Sequence, residues 1–229
     1  MSSRAISFKN KILDFFNFDE NRTLRQELSL INNKNNNFFD YGVGYYYQSS
    51  DKLGLRGLRN SLFRKKQLNI EKLTIGKSIL DIGTNSGFLL FELENNFKYA
   101  LGIDYNPKLI EIAKKSKNYL NLNNIEFKTQ DFQLEEINEK YDIILSLANH
   151  HTYDKGITST KDYFEKILKI ISQDGYLIFE GHHPLIENDE DFWNILGQIK
   201  DQFTIIEKKK YKTKNFFDNG RNLVILKKN

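Results

Sequence analysis

Residues 78–88 read SILDIGTNSGF, a hydrophobic strand that leads into a turn with two glycines and then into a helix. Such a turn lets a ligand approach the backbone, because glycine has no side chain in the way. A nicotinamide dinucleotide site would require the spacing G-x-G-x-x-G, which seats a pyrophosphate on the helix N-terminus. Here the glycines are Gly83 and Gly87, and Asp81 precedes them. A carboxylate there repels a diphosphate and attracts the ammonium of an amino acid, which favours S-adenosylmethionine over a dinucleotide.

The chain downstream of Lys77 alternates hydrophobic, β-branched runs with stretches of helical periodicity. This alternation is typical of a mostly parallel sheet covered by helices on both faces, so the fold class is α/β. Asn106 is predicted to cap a helix that starts at Pro107. The sequence D-N-G at 218–220 predicts a turn between the last two strands and therefore an antiparallel hairpin. The predicted strands are 77–82, 98–103, 124–129, 141–147, 175–180, 203–209 and 222–228.

The part of the chain before the first strand has a different pattern. Residues 6–18, 21–31 and 55–70 have the spacing of amphipathic helices. We therefore expect residues 1–73 to form a helical N-terminal extension that caps the sheet, and residues 74–229 to form a single catalytic domain.

Two further strands have a carboxylate at or just after their ends. Asp104 closes the second strand, twenty-three residues after Asp81, where it can accept hydrogen bonds from both hydroxyls of a ribose. A plain helix cap is the alternative role for Asp104. Asp131 and Phe132 come directly after the third strand.

These elements resemble the class I S-adenosylmethionine-dependent methyltransferase superfamily over residues 74–182. Its first motif, D/E-x-G-x-G-x-G, stands here as DIGTNSG, with Asn85 in the place of the central glycine. Asparagine tolerates a left-handed backbone better than other non-glycine residues. The resemblance implies a seven-stranded, mostly parallel Rossmann-like sheet of order 3-2-1-4-5-7-6 whose last strand is antiparallel. It also implies that Asp131 binds the adenine amino group and that Phe132 lies near the ring.

The segments at 45–49 (YYYQS) and 54–59 (GLRGLR) are similar to a bacterial group of methyltransferases that includes surface-polysaccharide modifiers and, more distantly, wobble-uridine carboxymethyl-transferring enzymes. Tyr47 and Gln48 are expected to close over the cofactor, and Arg56 or Arg59 to bind its carboxylate or an acceptor phosphate. An aromatic plug that buries the cap against the sheet is the alternative. The predicted cofactor-binding residues are Tyr47, Gln48, Arg56, Asp81, Gly83, Thr84, Asn85, Gly87, Phe88, Asp104, Tyr105, Asp131, Phe132 and Ser146.

All four histidines occur in two doublets, one after the fourth strand and one after the fifth. These strands are neighbours in the implied order, so both doublets should overhang one crevice at the carboxyl edge of the sheet. An imidazole that titrates near neutral pH suits the removal of a proton from an acceptor hydroxyl. We expect one or two of the four histidines to take part in the reaction and the others to pack or to bond to the backbone. The candidates are His150, His151, His182 and His183, with Glu180 and Asp154 as groups that orient or assist them.

A metal site is the rival interpretation of the histidines, because imidazoles with a carboxylate bind zinc or iron. Neighbouring residues at a strand end point to opposite sides, and neither a helical His-x-x-x-His spacing nor any cysteine is present. The sequence therefore predicts no metal.

The amino-acid composition excludes several kinds of site and of protein. With no cysteine among 229 residues, disulfides, thiolate catalysis and cysteine-ligated zinc are ruled out. No run approaches the roughly eighteen apolar residues that a membrane span needs, and charges occupy the first residues where a secretory peptide would be apolar. We expect a cytoplasmic protein. The formal charge is only +4, but residues 52–72 are locally basic, which suits either a phosphate or a solvated helix face.

The leading hypothesis is an O-methyltransferase that uses S-adenosylmethionine and acts on a small polar acceptor. A sugar, a nucleotide-linked sugar or a phosphorylated precursor suits the histidine-rich crevice and the basic run. The alternatives are an RNA (tRNA) modifying methyltransferase and a cofactor-binding homologue without catalysis; the three retained carboxylates argue against the latter. The RNA hypothesis depends on residues 52–72 and on tail lysines at 208, 209, 210, 212 and 214.

Overall fold

The computed structural model describes residues 22–33, 46–150, 159–182, 187–211 and 220–229. The elements that precede the main sheet are α1 (Arg22–Asn32), β1 (Tyr46–Ser49), β2 (Gly57–Asn60), α2 (Ser61–Leu68) and α3 (Glu71–Thr74). The predicted helix over 21–31 is confirmed as α1, and the predicted helix over 6–18 lies outside the described residues. Within the described stretches, none of the helices is both long and apolar enough to cross a membrane.

The helix predicted over 55–70 is wrong in its first residues, because 57–60 form strand β2, which pairs in parallel with β1. Gly57 makes this possible, since a Cβ at that position would lie 2.5 Å from the carbonyl oxygen of Gln48. The helix begins only at Ser61, after the side chain of Asn60 accepts a hydrogen bond from the backbone N–H of Phe63 at 2.8 Å.

The main sheet has seven strands in the order β5-β4-β3-β6-β7-β9-β8. The first five in that order pair in parallel, and β9 is antiparallel to both of its neighbours. The implied order 3-2-1-4-5-7-6 is thereby confirmed. The strands are β3 (Ser78–Ile82), β4 (Tyr99–Asp104), β5 (Ile125–Thr129), β6 (Tyr141–Leu147), β7 (Ile171–Glu180), β8 (Phe203–Tyr211) and β9 (Arg221–Lys228).

Helices α4 (Phe88–Leu93), α5 (Pro107–Tyr119), α6 (Thr160–Ile170) and α7 (Asp189–Gly197) accompany the sheet. Strand residues alternate between two hydrophobic clusters: Ile79 belongs to one, and Leu80 to the other. This alternation shows that both faces of the sheet are covered. Asn106 caps α5 as predicted, since its side chain accepts from the N–H of Lys108 at 3.1 Å.

Helix α1 lies against α5. The ammonium of Lys108, a buried residue, donates to the carbonyl of Asn32 at 3.2 Å, and Lys115 forms a 2.7 Å ion pair with Glu27 nearer the surface. The buried hydrogen bond between Lys108 and Asn32 joins α5 to α1. A buried polar group needs its partner, so this bond fixes where the N-terminal elements contact the rest of the chain.

Replacement of Gly87 by alanine should lower the free energy of unfolding more than the same change at Gly76. Both glycines have left-handed backbones, with φ of +73° and +69°, so both variants bear the strain of an alanine there, about 1–2 kcal/mol. A Cβ at Gly87 also lies 2.4 Å from the ring of buried Phe127, whereas a Cβ at Gly76 meets nothing within 4 Å. Crowding should add about 1–3 kcal/mol at Gly87.

Urea unfolding of Gly87→Ala and Gly76→Ala measures this difference, with Gly76→Ala as the matched control. Equal losses of stability would show that Phe127 gives way and that packing at this turn is loose.

Candidate functional site

A cavity of about 490 Å³ lies at the carboxyl ends of β3, β4, β6 and β7, and β1 and α2 form its roof. It is within the range of about 300–1,000 Å³ that small-molecule sites have. Nine residues predicted for the site line this cavity: Tyr47, Gln48, Arg59, Asp81, Gly83, Asn85, Asp104, Tyr105 and His182.

The turn after β3 has three left-handed positions. Gly83, Asn85 and Gly87 have φ of +70°, +58° and +73°. Asn85 thus adopts the conformation for which the family motif has glycine, as its residue type led us to expect. Thr84 does not line the cavity, and its hydroxyl donates to the carboxylate of Asp81 at 2.7 Å.

Asp81 and Asp104 are the two carboxylates on this side of the cavity, and both are buried. Asp104 accepts from the backbone N–H of Asn85 and from that of Asn106, each at 3.0 Å. Burial raises the pKa of Asp104 to about 6, and burial together with the charge of Asp104 raises the pKa of Asp81 to about 7. A positive ligand group or a ribose hydroxyl would favour their charged forms.

Gln48 fastens the roof to the turn. Its Oε1 accepts from the N–H of Phe88 at 3.1 Å, and its Nε2 is 3.4 Å from the carbonyl oxygen of Thr84. Arg59 and Arg64 line the cavity, whereas Arg56 is exposed and is not among the lining residues.

His150 and His182 do meet at the ends of β6 and β7, with ring centroids 5.6 Å apart. His150 Nε2 lies 2.8 Å from Oε1 of Glu187, and both side chains are buried. The other oxygen of Glu187 accepts from the backbone N–H of His182 at 2.7 Å. The remaining predicted groups here, His151, His183 and Asp154, lie outside the described residues.

Glu180 is fully buried in a different environment from the one predicted. Its Oε1 pairs with Arg221 at 3.1 Å, and its Oε2 contacts Arg64 and the hydroxyl of Tyr211. These contacts place Glu180 between two arginines, and Glu187 is the carboxylate that contacts His150.

Several other predicted residues are not among those that line the cavity. Asp131 is half-buried, and its carboxylate accepts from the N–H of Gln133 at 2.8 Å. Phe132 is fully buried, and its ring packs edge-on against Tyr163 at 5.3 Å. Ser146 is buried, with its hydroxyl 2.8 Å from that of Tyr163.

The residues that sequence reasoning missed lie mainly at the end of β6 and the start of β9. Asn149 donates to the carbonyl of Ile82 and accepts from Ser146 at 2.9 Å, so it joins the ends of β3 and β6. Ala148, with φ of +56°, and Arg221 also line the cavity. Arg221 follows the predicted D-N-G turn, but nothing in the sequence indicates its partner.

Two rival interpretations can be compared with the described residues. They contain no group of three metal-ligating side chains, although His151 and His183 are not among them. Of the tail lysines, Lys209 donates to the carbonyl of Leu68, Lys210 pairs with Asp189 at 2.7 Å, and Lys208 lies over the ring of Trp193. Lys212 and Lys214 lie outside the described residues.

Comparison with known proteins agrees with this geometry. A family model described as a methyltransferase domain matches residues 73–220. Human EEF1A lysine methyltransferase 2 is 27% identical over 154 residues, which cover 65% of this chain and 62% of that protein. A malonyl-[acyl-carrier protein] O-methyltransferase from Acetivibrio thermocellus is 33% identical over 114 residues, 48% of this chain and 38% of that protein. The chain thus spans less than two thirds of these relatives.

Solved structures share the fold. The N-methyltransferase NodS from Bradyrhizobium japonicum WM9 has a TM-score of 0.61 at 17% identity, over 74% of this chain and 97% of that one. A NodS structure in complex with S-adenosyl-L-homocysteine gives a TM-score of 0.60 at 18% identity, over 72% and 86%. Taken with the two buried carboxylates and the left-handed turn, these findings show that the chain belongs to the methyltransferase-domain family and that S-adenosylmethionine is its cofactor.

Proposed function

We propose that this chain transfers a methyl group from S-adenosylmethionine to an oxygen of a small polar acceptor, such as a sugar, a nucleotide-linked sugar or a phosphorylated precursor. The observation that carries the proposal is the Glu187 carboxylate, which contacts the buried ring of His150 and the backbone of His182, a residue that lines the cavity. Bound S-adenosylmethionine supplies a methyl group activated by a positively charged sulfur.

The carboxylate side of the cavity is proposed to hold the cofactor. Asp104, at the end of β4, suits the ribose hydroxyls, and Asp81 suits the ammonium of the amino-acid part. Tyr47 and Gln48 exclude water from above, since Gln48 is already bonded to the turn. Asp131 is assigned to the adenine amino group, and Phe132 supports that segment from the core.

His182 is proposed as the base that removes the proton of an acceptor hydroxyl. It lines the cavity, and its backbone is fixed by Glu187. Glu187 also holds the ring of His150, so one buried carboxylate contacts the imidazole of His150 and the backbone of His182. The neutral imidazole would take the hydroxyl proton as the oxygen takes the methyl group, so the methylated acceptor gains no charge and the positive charge of the sulfonium ends on the imidazole.

The alternative of an RNA acceptor has less support. The three described tail lysines contact a carbonyl, a carboxylate and an aromatic ring, so they do not form a continuous basic surface. The curated relatives act on protein and on acyl-carrier protein according to their names, so a macromolecular acceptor is a second outcome for the transfer experiment.

Asp104→Ala should weaken binding of S-adenosylhomocysteine by about tenfold to a hundredfold, because a charged acceptor of two ribose hydrogen bonds is lost. Isothermal calorimetry measures the dissociation constant. Asp174→Ala is the control: Asp174 is an aspartate with 72% side-chain exposure at the far end of β7, and its loss should leave the dissociation constant unchanged. An unchanged dissociation constant in Asp104→Ala would show that Asp104 does not bind the ribose hydroxyls.

Binding of S-adenosylhomocysteine should weaken as the pH falls. Burial raises the pKa of Asp81 to about 7 and that of Asp104 to about 6, so both carboxyls take up protons between about pH 8 and pH 5.5. The ligand requires the charged forms, so affinity is greatest above pH 7 and is lost on acidification through these pKa values. Calorimetry across this range tests the expectation, and Asp81→Asn should flatten the upper part of the profile. An affinity that is constant down to pH 5.5 contradicts it.

The transfer itself can be followed with S-adenosylmethionine labelled in the methyl group. Sugars, sugar phosphates and nucleotide sugars are offered in parallel with total protein and total RNA, and the label is separated by molecular mass. We expect label in the small-molecule fraction. His182→Ala should lower turnover by about a hundredfold or more while affinity for S-adenosylhomocysteine stays constant. Label found only in protein or RNA would refute the proposed acceptor class.

A further inference from the structure

Two arginines share one carboxylate at the cavity wall. Arg64, from α2, and Arg221, from the start of β9, both line the cavity, and both pair with the buried Glu180. The Arg64 side chain is 17% exposed, that of Arg221 is 10% exposed and that of Glu180 is fully buried. Two guanidinium groups paired with one carboxylate leave an excess of positive charge, and these side chains are largely shielded from water.

The hydrogen bonds of this cluster are also incomplete. Glu180 uses one oxygen for Arg221 and the other for Arg64 and Tyr211. The Nε of Arg221 is buried and has no acceptor among the described residues. A guanidinium has five N–H donors, so each arginine keeps donors beyond those that Glu180 engages. A buried donor without an acceptor costs free energy that a ligand oxygen would recover.

Arg221 lies apart from the carboxylates assigned to the cofactor, whereas Arg64 is within the electrostatic reach of Asp81. Asp81 and Asp104 are at the ends of β3 and β4, whereas Arg221 begins β9 and lies beside Glu180 on β7, on the side of His182. Tyr47 is close enough to interact electrostatically with both Arg64 and Arg221. Among the described lining residues, this side of the cavity offers guanidinium and phenol groups, and the carboxylates are Asp81 and Asp104 alone.

We propose that Arg64 and Arg221, held in place by Glu180, form a subsite for an anionic oxygen group of the acceptor, a carboxylate or a phosphoryl group. This inference rests on the proposed function, since it assigns the acceptor side of the same cavity. Guanidinium groups bind both kinds of oxyanion through paired N–H donors. Glu180 is a positioning residue in this arrangement, because it orders the two arginines and leaves their outer donors available.

The subsite is tested without turnover. Protein saturated with S-adenosylhomocysteine is titrated by calorimetry with malonate and with inorganic phosphate at constant ionic strength, and with malonamide as the neutral counterpart of malonate. We expect at least one of the two anions to bind and malonamide not to bind. Stronger binding of malonate identifies a carboxylate as the group recognised, and stronger binding of phosphate identifies a phosphoryl group.

Arg221→Gln should weaken anion binding by about tenfold or more, because a charged, forked donor is replaced by a neutral amide. Lys66→Gln is the matched control: it removes the same charge from the exposed face of α2, two residues from Arg64, and should leave anion affinity unchanged. Circular dichroism and a cooperative urea transition show that each variant is folded. If Arg221→Gln does not fold, Arg221→Lys keeps the charge without the fork and should still weaken anion binding.

Three results would overturn the subsite. The first is an absence of anion binding by the wild type, and the second is equal binding by Arg221→Gln or Arg221→Lys. The third is a tenfold loss of affinity for S-adenosylhomocysteine in a folded Arg221 variant, which would assign the arginines to the cofactor's own carboxylate. The labelled-methyl experiment reports separately on the proposed acceptor class, so either idea can fail while the other survives.

Discussion

The two hydrogen bonds that the Asp104 carboxylate accepts fix the geometry on which this site depends. One comes from the backbone of Asn85 in the turn after β3 and the other from Asn106 at the start of α5. A single buried charge thus joins the first glycine turn to the next helix, and it does so at the edge where parallel strands end. Burial of a carboxylate costs free energy, and two backbone N–H donors offset part of that cost. The pKa of Asp104 remains raised, which leaves the residue suited to further donors from a ligand.

The acidic and the basic residues of the cavity come from different elements. The ends of β3 and β4 provide carboxylates, whereas α2 and β9 provide arginines, and Glu180 lies behind the arginines. This separation follows from the order of the sheet, because β9 is inserted beside β7 and brings its first residue, Arg221, to the carboxyl edge of the parallel strands. An antiparallel strand presents its N-terminal end where its neighbours present their C-terminal ends. The hairpin at the end of the chain therefore contributes directly to the site.

Much of this arrangement could be predicted from the sequence because it depends on local patterns. The strand ends at Asp81 and Asp104, the left-handed Asn85 and the cap at Asn106 each depend on a few consecutive residues. The missed features are contacts between distant segments. Glu180 looked like a partner for a histidine because both stand at a strand end, but its neighbours come from α2 and β9. Glu187, which does contact His150, lies beyond the second histidine doublet in a stretch without a recognisable motif.

Asp81 is where the two sides of the cavity interact. Burial and the neighbouring Asp104 raise its pKa, whereas the positive charge of Arg64 lowers it, so Asp81 is within the electrostatic reach of both groups. On the proposed assignments, the ammonium of the cofactor compensates Asp81 and reduces the attraction between Asp81 and Arg64. Within the part of the chain that the structure describes, Glu180 is then the remaining carboxylate partner of Arg64, and it is shared with Arg221. Because opposite charges in a buried site interact strongly, the electrostatics favour an anionic acceptor more once the cofactor is bound than before.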